Sequence, residues 1–244
     1  MVLLVAIWEL AYNVFQWGWK FPSPVQTYQS FYTGVTEGPL LNAAFTSLRR
    51  LLTAFAIAIA IGTLLGILFA QYRMLDDTFG FMVVALQTIP SIAWLPFAII
   101  WFGLNDISVV FITAIGATWT MAMASRTGIL NIPKQYLQAA RMMGTRGFPL
   151  FFKVILPAAF PQMITGLRTG WAFAWRALVS AELIARGVGL GQLLQDGRSL
   201  GDTASMLSIV ILIAIIGTVI DHLVFRQMEN RLMVRYGIRS TVKN

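Results

Sequence analysis

Apolar and polar positions along this chain come in long blocks rather than alternating. Uncharged runs extend from Leu51 to Tyr72, Thr78 to Asn105, Ile107 to Ser125 and Thr203 to Ile220. A helix needs about 20 mostly apolar residues to cross the hydrocarbon core of a bilayer, and these runs supply that length. Two weaker segments complete the pattern. Met1 to about Trp17 carries a single charge, Glu9, and Pro157 to Ala181 is interrupted by Arg168 and Arg176. Continuous runs exclude a transmembrane β-barrel, whose strands alternate at period two. The pattern predicts an all-α integral membrane protein with about six transmembrane helices, near residues 1–17, 51–72, 78–102, 107–125, 157–181 and 203–225. The first segment lacks a basic leader region, and Glu9 and Asn13 break its apolar centre, so it reads as a spanning anchor.

Composition agrees. Of 244 residues, 57% are hydrophobic and only 11% charged, whereas soluble domains carry about a quarter charged residues. Mean hydropathy is +0.72. Cysteine is absent, which excludes a disulfide-stapled scaffold and a zinc–cysteine site. The net charge of +8 raises nucleic acid as a partner, but membrane topology accounts for it. With the N-terminus inside, inner segments hold Arg73, Arg126, Lys134, Arg141, Arg146, Lys153, Arg226, Arg231, Arg235, Arg239 and Lys243. Outer segments hold Lys20, Arg49, Arg50, Arg186 and Arg198. That asymmetry obeys the positive-inside rule, puts both termini on the cytoplasmic side and leaves no need for nucleic acid. The basic tail from Arg226 to Lys243 reads as a contact with anionic lipid.

The longest inner segment, 126–156, is not disordered in composition. Tyr136, Leu137, Ala140, Met143 and Gly144, with Phe148, Phe151 and Phe152, approach helical spacing. Pro133 stands at a helix start, Gly144 and Gly147 break the pattern, and Pro149 can open a second short helix. A helix pair with one apolar and one basic side follows. It serves either as a helix lying among lipid headgroups or as a peg for another protein.

The run QAARMMGTRGFPLFFKVILP, Gln138 to Pro157, resembles the signature loop of importer-type ABC transporter permeases. Gln138, Ala139, Ala140, Gly144, Val154, Leu156 and Pro157 match that pattern in type and offset, except that Gln138 stands where the family usually has Glu. FPSP at Phe21 to Pro24, PSIAWLPFAIIWFGLND at Pro90 to Asp106 and WRALVSAELIARGVGLGQLL at Trp175 to Leu194 resemble the nitrate, sulfonate, taurine and bicarbonate branch. The resemblance covers nearly the whole chain. It implies a single permease domain, 1–244, with the type I (MetI-like) importer core, in a bacterial inner membrane.

It also implies a second permease copy, two ATP-binding subunits and an extracytoplasmic substrate-binding protein. The loop 126–156 would couple to the ATPase through Gln138, Ala139, Ala140, Met143, Gly144, Phe148, Val154, Leu156 and Pro157. Small residues allow close approach, and Gly144 permits the turn. No G-x-x-x-x-G-K-[ST] phosphate loop occurs in the chain, so ATP and Mg would bind a separate ATPase. There is no catalytic triad, paired-carboxylate or cofactor pattern, and a non-enzymatic subunit is expected. A permease for a vitamin precursor of the same family, or a secondary transporter driven by an ion gradient, are the alternatives. The second would call for paired membrane carboxylates or unwound helices in repeated halves.

Polar residues within the apolar runs are the candidate pathway. On a wheel at about 100° per residue, Arg168, Trp171, Trp175, Leu178 and Glu182 form one stripe and Gly166, Gly170 and Ala174 another. The aromatic and charged stripe suits a water-accessible path; the small one suits helix packing. A charged side chain at bilayer depth costs at least ~2.5–3.5 kcal/mol, so lipid-facing positions are disfavoured. Arg176 lies off the stripe, and either snorkels to headgroups or serves an anion path; Arg168 either serves that path or makes a structural ion pair. Glu182 is expected to pair with Arg176 or Arg186. Gln87 and Trp94, seven residues apart in a segment interrupted by Pro90 and Pro96, would share a face lining the path. Ala54, Ala58, Gly62 and Gly66 form a packing ladder, and the three glycines of Gly187 to Leu194 predict a tight, protein-buried turn.

Overall fold

A computed structural model describes residues 2–15, 21–185 and 187–235. All regular elements among them are helices: α1 (Val2–Phe15), α2 (Pro24–Thr36), α3 (Leu40–Gln71), α4 (Arg73–Thr88), α5 (Ser91–Phe102), α6 (Asp106–Leu130), α7 (Lys134–Met142), α8 (Gly147–Glu182) and α9 (Leu190–Leu200). The last, α10, stacks Thr203–Ile220, a π-turn at Asp221–Phe225 and Arg226–Arg235 into one rod.

The core is a three-helix slab in which α6 lies between α3 and α8. Small residues let the backbones close up. A Cβ on Gly62 would sit 2.6 Å from the Thr118 carbonyl oxygen, and one on Gly66 would overlap the Ala122 carbonyl. Gly166 meets the Ala124 methyl in the same way. Ala54, Ala58, Gly62 and Gly66 are all buried, as a packing ladder requires. Phe55, Trp171, Trp175 and Phe225 fill the adjoining space, with Phe55 edge-on to Trp171 at 5.4 Å and Trp171 stacked on Trp175. The slab is finished on one side by α10, which is far more exposed than α6.

Helices α3, α6, α8 and α10 are long and apolar enough to cross a membrane. The chain between α3 and α6 is different from expectation. Instead of one span over 78–102, α4 and α5 meet at 99°. Pro90 supplies no N–H, and the preceding Ile89 takes the extended conformation (φ −75°, ψ 122°) that a following proline favours. Counted as one broken span, the pair is the fifth. At the N-terminus, α1 has 14 residues, short of the ~20 a span needs, and Trp8 Nε1 donates to the Pro22 carbonyl at 3.1 Å. Two helices also start earlier than expected: α3 begins at Leu40, and α8 at Gly147. Trp17, Lys20, Arg186, Arg239 and Lys243 lie outside the described residues.

Candidate functional site

Three charged clusters tie the helices together, and each takes up an arginine. At one end of the slab, Arg50 of α3 reaches Glu182 of α8 (Nη1 to Oε1, 2.8 Å) and, through Nη2, Asp106 at the start of α6. Glu182 is fully used: the Ser47 hydroxyl donates to it at 2.7 Å and the Gly191 N–H at 3.1 Å. Ser47 Oγ in turn accepts from the Leu190 N–H at 2.9 Å. The glycine turn exists for this carboxylate, because a Cβ on Gly189 would stand 2.6 Å from Glu182 Oε1. The expected pairing with Arg176 is not made, and Arg186 lies outside the described residues. Arg50 is the partner, and it had been assigned to a loop because α3 was taken to begin at residue 51 rather than Leu40.

Towards the opposite end, Arg126 of α6 holds Asp76 of α4 with two hydrogen bonds, one of them 2.6 Å. Arg168 of α8 makes a bidentate pair with Asp221 of α10 (both 2.8 Å) and adds Glu229 at 3.0 Å. Bidentate guanidinium–carboxylate pairs fix orientation as well as charge. Arg168 thus joins α8 to α10. Asp221 and Glu229 are the signal that would have found this: the only carboxylates on the second half of α10, 53 and 61 residues away.

The wheel stripe on α8 falls on its packed side. Trp171, Trp175 and Glu182 are 3%, 9% and 1% exposed, and Leu178 is fully buried. The edges of Trp171 and Trp175, with Arg176, Gly217 and Asp221, border a groove of about 370 Å³ between α8 and α10. Arg176 itself is exposed; its Nε donates to the Ala172 carbonyl at 3.1 Å and its guanidinium lies 4.6 Å over the Phe173 ring. Gln87 and Trp94 share no face, since the 99° bend at Pro90 separates them. Gln87 is exposed, donates weakly to Thr120 (3.4 Å) and, with Thr88, Ser91 and Phe173, lines a cleft of about 260 Å³ at the bend. Trp94 is half-buried against Phe97.

The segment between α6 and α8 forms a protruding hairpin. Pro133 caps α7, which ends in a Schellman turn: Thr145 N–H donates to the Ala140 carbonyl and Gly144 N–H to Arg141, both at 3.0 Å. Gly144 has φ +83°, a conformation that favours glycine, and no atom lies within 4 Å of a Cβ built there. Ala140 and Leu150 are buried, whereas Tyr136, Met142, Met143, Phe148 and Phe152 are exposed. Gln138, Ala139 and Pro157 are exposed too, and Val154 and Leu156 half-buried. A separate second short helix was expected after Gly147; instead α8 runs from Gly147 through a π-turn at Phe151–Ile155 without a break.

A helical slab with four long apolar helices, a broken span and one exposed apolar hairpin is the architecture of a membrane-spanning protein. The chain belongs to the family of binding-protein-dependent transport system inner membrane components, whose model matches residues 39–230. It is 33% identical over 198 residues to a putative ABC transporter permease protein of Methanocaldococcus jannaschii, covering 81% of this chain and 74% of that one. It is 31% identical over 238 residues to the putative aliphatic sulfonates transport permease protein SsuC of Escherichia coli, covering 96% and 89%. Against the nitrate import permease protein NrtB of Synechocystis, identity is 29% over 233 residues, covering 92% and 84%. The fold matches the MetNI methionine ABC transporter in an inward-facing conformation, with a TM-score of 0.70 at 20% identity over 79% of this chain and 95% of that one. An amino acid ABC transporter matches at 0.65 and 19%, over 84% and 98%. The protein is the non-catalytic membrane subunit of an ABC importer, and ATP hydrolysis belongs to a separate subunit.

Proposed function

We propose that this chain forms, as a dimer of identical copies, the translocation path of an importer for a small oxyanion of the nitrate, sulfonate, taurine and bicarbonate group. An extracytoplasmic binding protein delivers the anion, and two ATPase subunits, which bind ATP and Mg, drive the cycle. The hairpin carries this reading. Exposed Tyr136, Met142, Met143 and Phe148 are grouped around a glycine turn, an apolar ridge suited to a groove in a soluble partner. Gln138, Ala139, Ala140 and Gly144 set its contact side, while Val154, Leu156 and Pro157 join it to the membrane part of α8. Because α8 is unbroken over 36 residues, displacement of the hairpin passes along the helix as a rigid-body motion. The basic residues clustered around the hairpin and the end of α10 favour the cytoplasm for this side and for both termini. For the path itself, Gln87 and Arg176 are the polar candidates that stay exposed and that no internal salt bridge consumes.

Affinity purification of the chain from its native membrane in mild detergent tests the assembly. A soluble ATPase recovered at one copy per permease is the expected result. Recovery of the chain alone, as an oligomer, overturns it. Calorimetry of the accompanying binding protein with nitrate, taurine and bicarbonate then tests the substrate class, and binding of a heterocyclic vitamin precursor instead overturns the oxyanion assignment.

A further inference from the structure

The side of α8 that faces away from the slab is polar. Gln162, Thr165, Thr169, Ala172, Arg176 and Ser180 fall within about 80° of arc at 100° per residue. All are exposed except Thr165 and Ser180, which are half-buried. No carboxylate lies on this face. The exposed side of α10 is the opposite in character: Val210, Ile211, Ile215 and Val219. Lipid suits the second face and not the first.

Arg176 lies six residues, about 9 Å, short of the Glu182 end of α8. Its neighbour Ala177 touches Gly116, the eleventh residue of α6 and so about 15 Å along that helix. Its other neighbour, Trp175, touches Gly217, about 21 Å along α10. The side chain does not reach outward to the near end of the helix. It folds back over Phe173 and bonds the Ala172 carbonyl, as helical side chains tilt toward the N-terminus. No carboxylate pairs with it among the described residues, whereas Arg50, Arg126 and Arg168 are each neutralised. Within a membrane span, a cation without a carboxylate partner is favoured where water reaches it. Phe173, beneath the guanidinium, also walls the cleft at the α4–α5 bend, whose other walls include Gln87, Ser91 and Thr120.

We propose that the stripe from Gln162 to Ser180 is the wetted wall of the conduit and that Arg176 is its charge-selecting group. This rests on the importer reading above. The guanidinium attracts a small oxyanion into a path otherwise lined by neutral hydroxyls and amides, which hydrogen-bond it without holding it fast. The wall thus excludes cations while the binding protein chooses among anions.

The chain has no cysteine, so a single introduced thiol is the only one it carries. Thr165→Cys, Thr169→Cys and Ser180→Cys are made in the full chain, kept in native membranes with its partners, and compared with Ile215→Cys and Val219→Cys on α10. The probes are 2-sulfonatoethyl methanethiosulfonate, an anion, and its trimethylammonium analogue, a cation; both react with hydrated thiolate. The α8 thiols are expected to be labelled and the α10 thiols not; α8 thiols as inert as the α10 controls overturn the proposal. At Thr169→Cys the anionic probe should react about tenfold faster than the cationic one. Arg176→Gln should bring the ratio close to one, and Arg176→Lys should restore it. A ratio unchanged in Arg176→Gln overturns the role of Arg176. If that variant fails to assemble, raising salt from about 0.05 to about 0.5 M with Arg176 intact should shrink the ratio, and a salt-independent ratio overturns the role equally. Labelling requires neither ATP hydrolysis nor delivered substrate. A missing ATPase would therefore overturn the importer reading while the wetted wall is judged on its own result.

Discussion

Arg50 and Glu182 are 132 residues apart in sequence and 2.8 Å apart in space, and both are buried, at 6% and 1% exposure. The pair joins the first long helix of the slab to the last turn of the third, and Asp106 brings in the start of the second. Two glycines, Gly189 and Gly191, are packed against the carboxylate so that the chain can turn over it.

Removing one partner from such a pair leaves an uncompensated charge in a closed space. Glu182→Ala should lower stability by about 3 kcal/mol, and Ser47→Ala, which deletes a hydrogen bond to the same carboxylate, by about 1 kcal/mol. Thermal unfolding of the purified protein in detergent measures both. Equal effects of the two variants would show that Glu182 is not the hub.

Gly191→Ala should cost about 1–3 kcal/mol by overpacking, since its Cβ would stand 2.6 Å from Glu182 Cβ and 2.8 Å from the Val179 carbonyl. Gly201→Ala is the comparison, with φ +69° but open space around it, and should cost about 1–2 kcal/mol from backbone strain alone. In a double variant with Glu182→Ala, the Gly191 penalty should shrink, because part of the clash is with Glu182 itself. The Gly201 penalty should stay the same.

The Arg168 cluster should respond unequally. Asp221 takes two hydrogen bonds from the guanidinium and Glu229 one, so Asp221→Asn should destabilise more than Glu229→Gln. Both sites are partly open, and the larger effect should stay near 1 kcal/mol. The midpoint of detergent-induced inactivation gives the ranking, and the reverse order would contradict the bidentate geometry.

Substitution at Gly144 should separate coupling from stability. Val there must adopt φ +83°, which costs about 1–2 kcal/mol and unwinds the turn between α7 and α8. No contact of the bundle is touched, so the melting temperature should fall by only a few degrees while transport falls and substrate-stimulated ATP hydrolysis is lost. Gly144→Asn, which tolerates the left-handed region, should retain both. Reconstituted vesicles assayed for uptake and phosphate release distinguish these outcomes. Unchanged transport in Gly144→Val would remove the hairpin from the coupling path.

The membrane class, the small-residue ladder from Ala54 to Gly66, the hairpin turn at Gly144 and the interruption at Pro90 were legible in the residues, though not the 99° bend that parts Gln87 from Trp94. Each depends on local chemistry: apolar run length, side-chain size, φ preference, a missing N–H. The partners of the charged residues were not. Glu182 was matched to the nearest arginines in sequence, whereas its partner lies on a helix that begins at Leu40, eleven residues before the expected start at residue 51. Nor was the exposure of the polar side of α8. A helical wheel sorts residues into faces but does not say which face meets protein. Trp171 and Trp175 were read as lining because they are large and amphipathic; packing against Phe55 and Phe225 buries them instead.

By itself the sequence determined that this chain crosses a membrane as apolar helices and presents a glycine-hinged hairpin, because bilayer thickness and backbone sterics act on neighbouring residues. Only the tertiary structure decided that Arg50, Arg126 and Arg168 are neutralised by carboxylates and that Arg176 is left exposed without one. That outcome depends on distances between helices more than fifty residues apart, which close packing of glycine and alanine sets and no local pattern encodes.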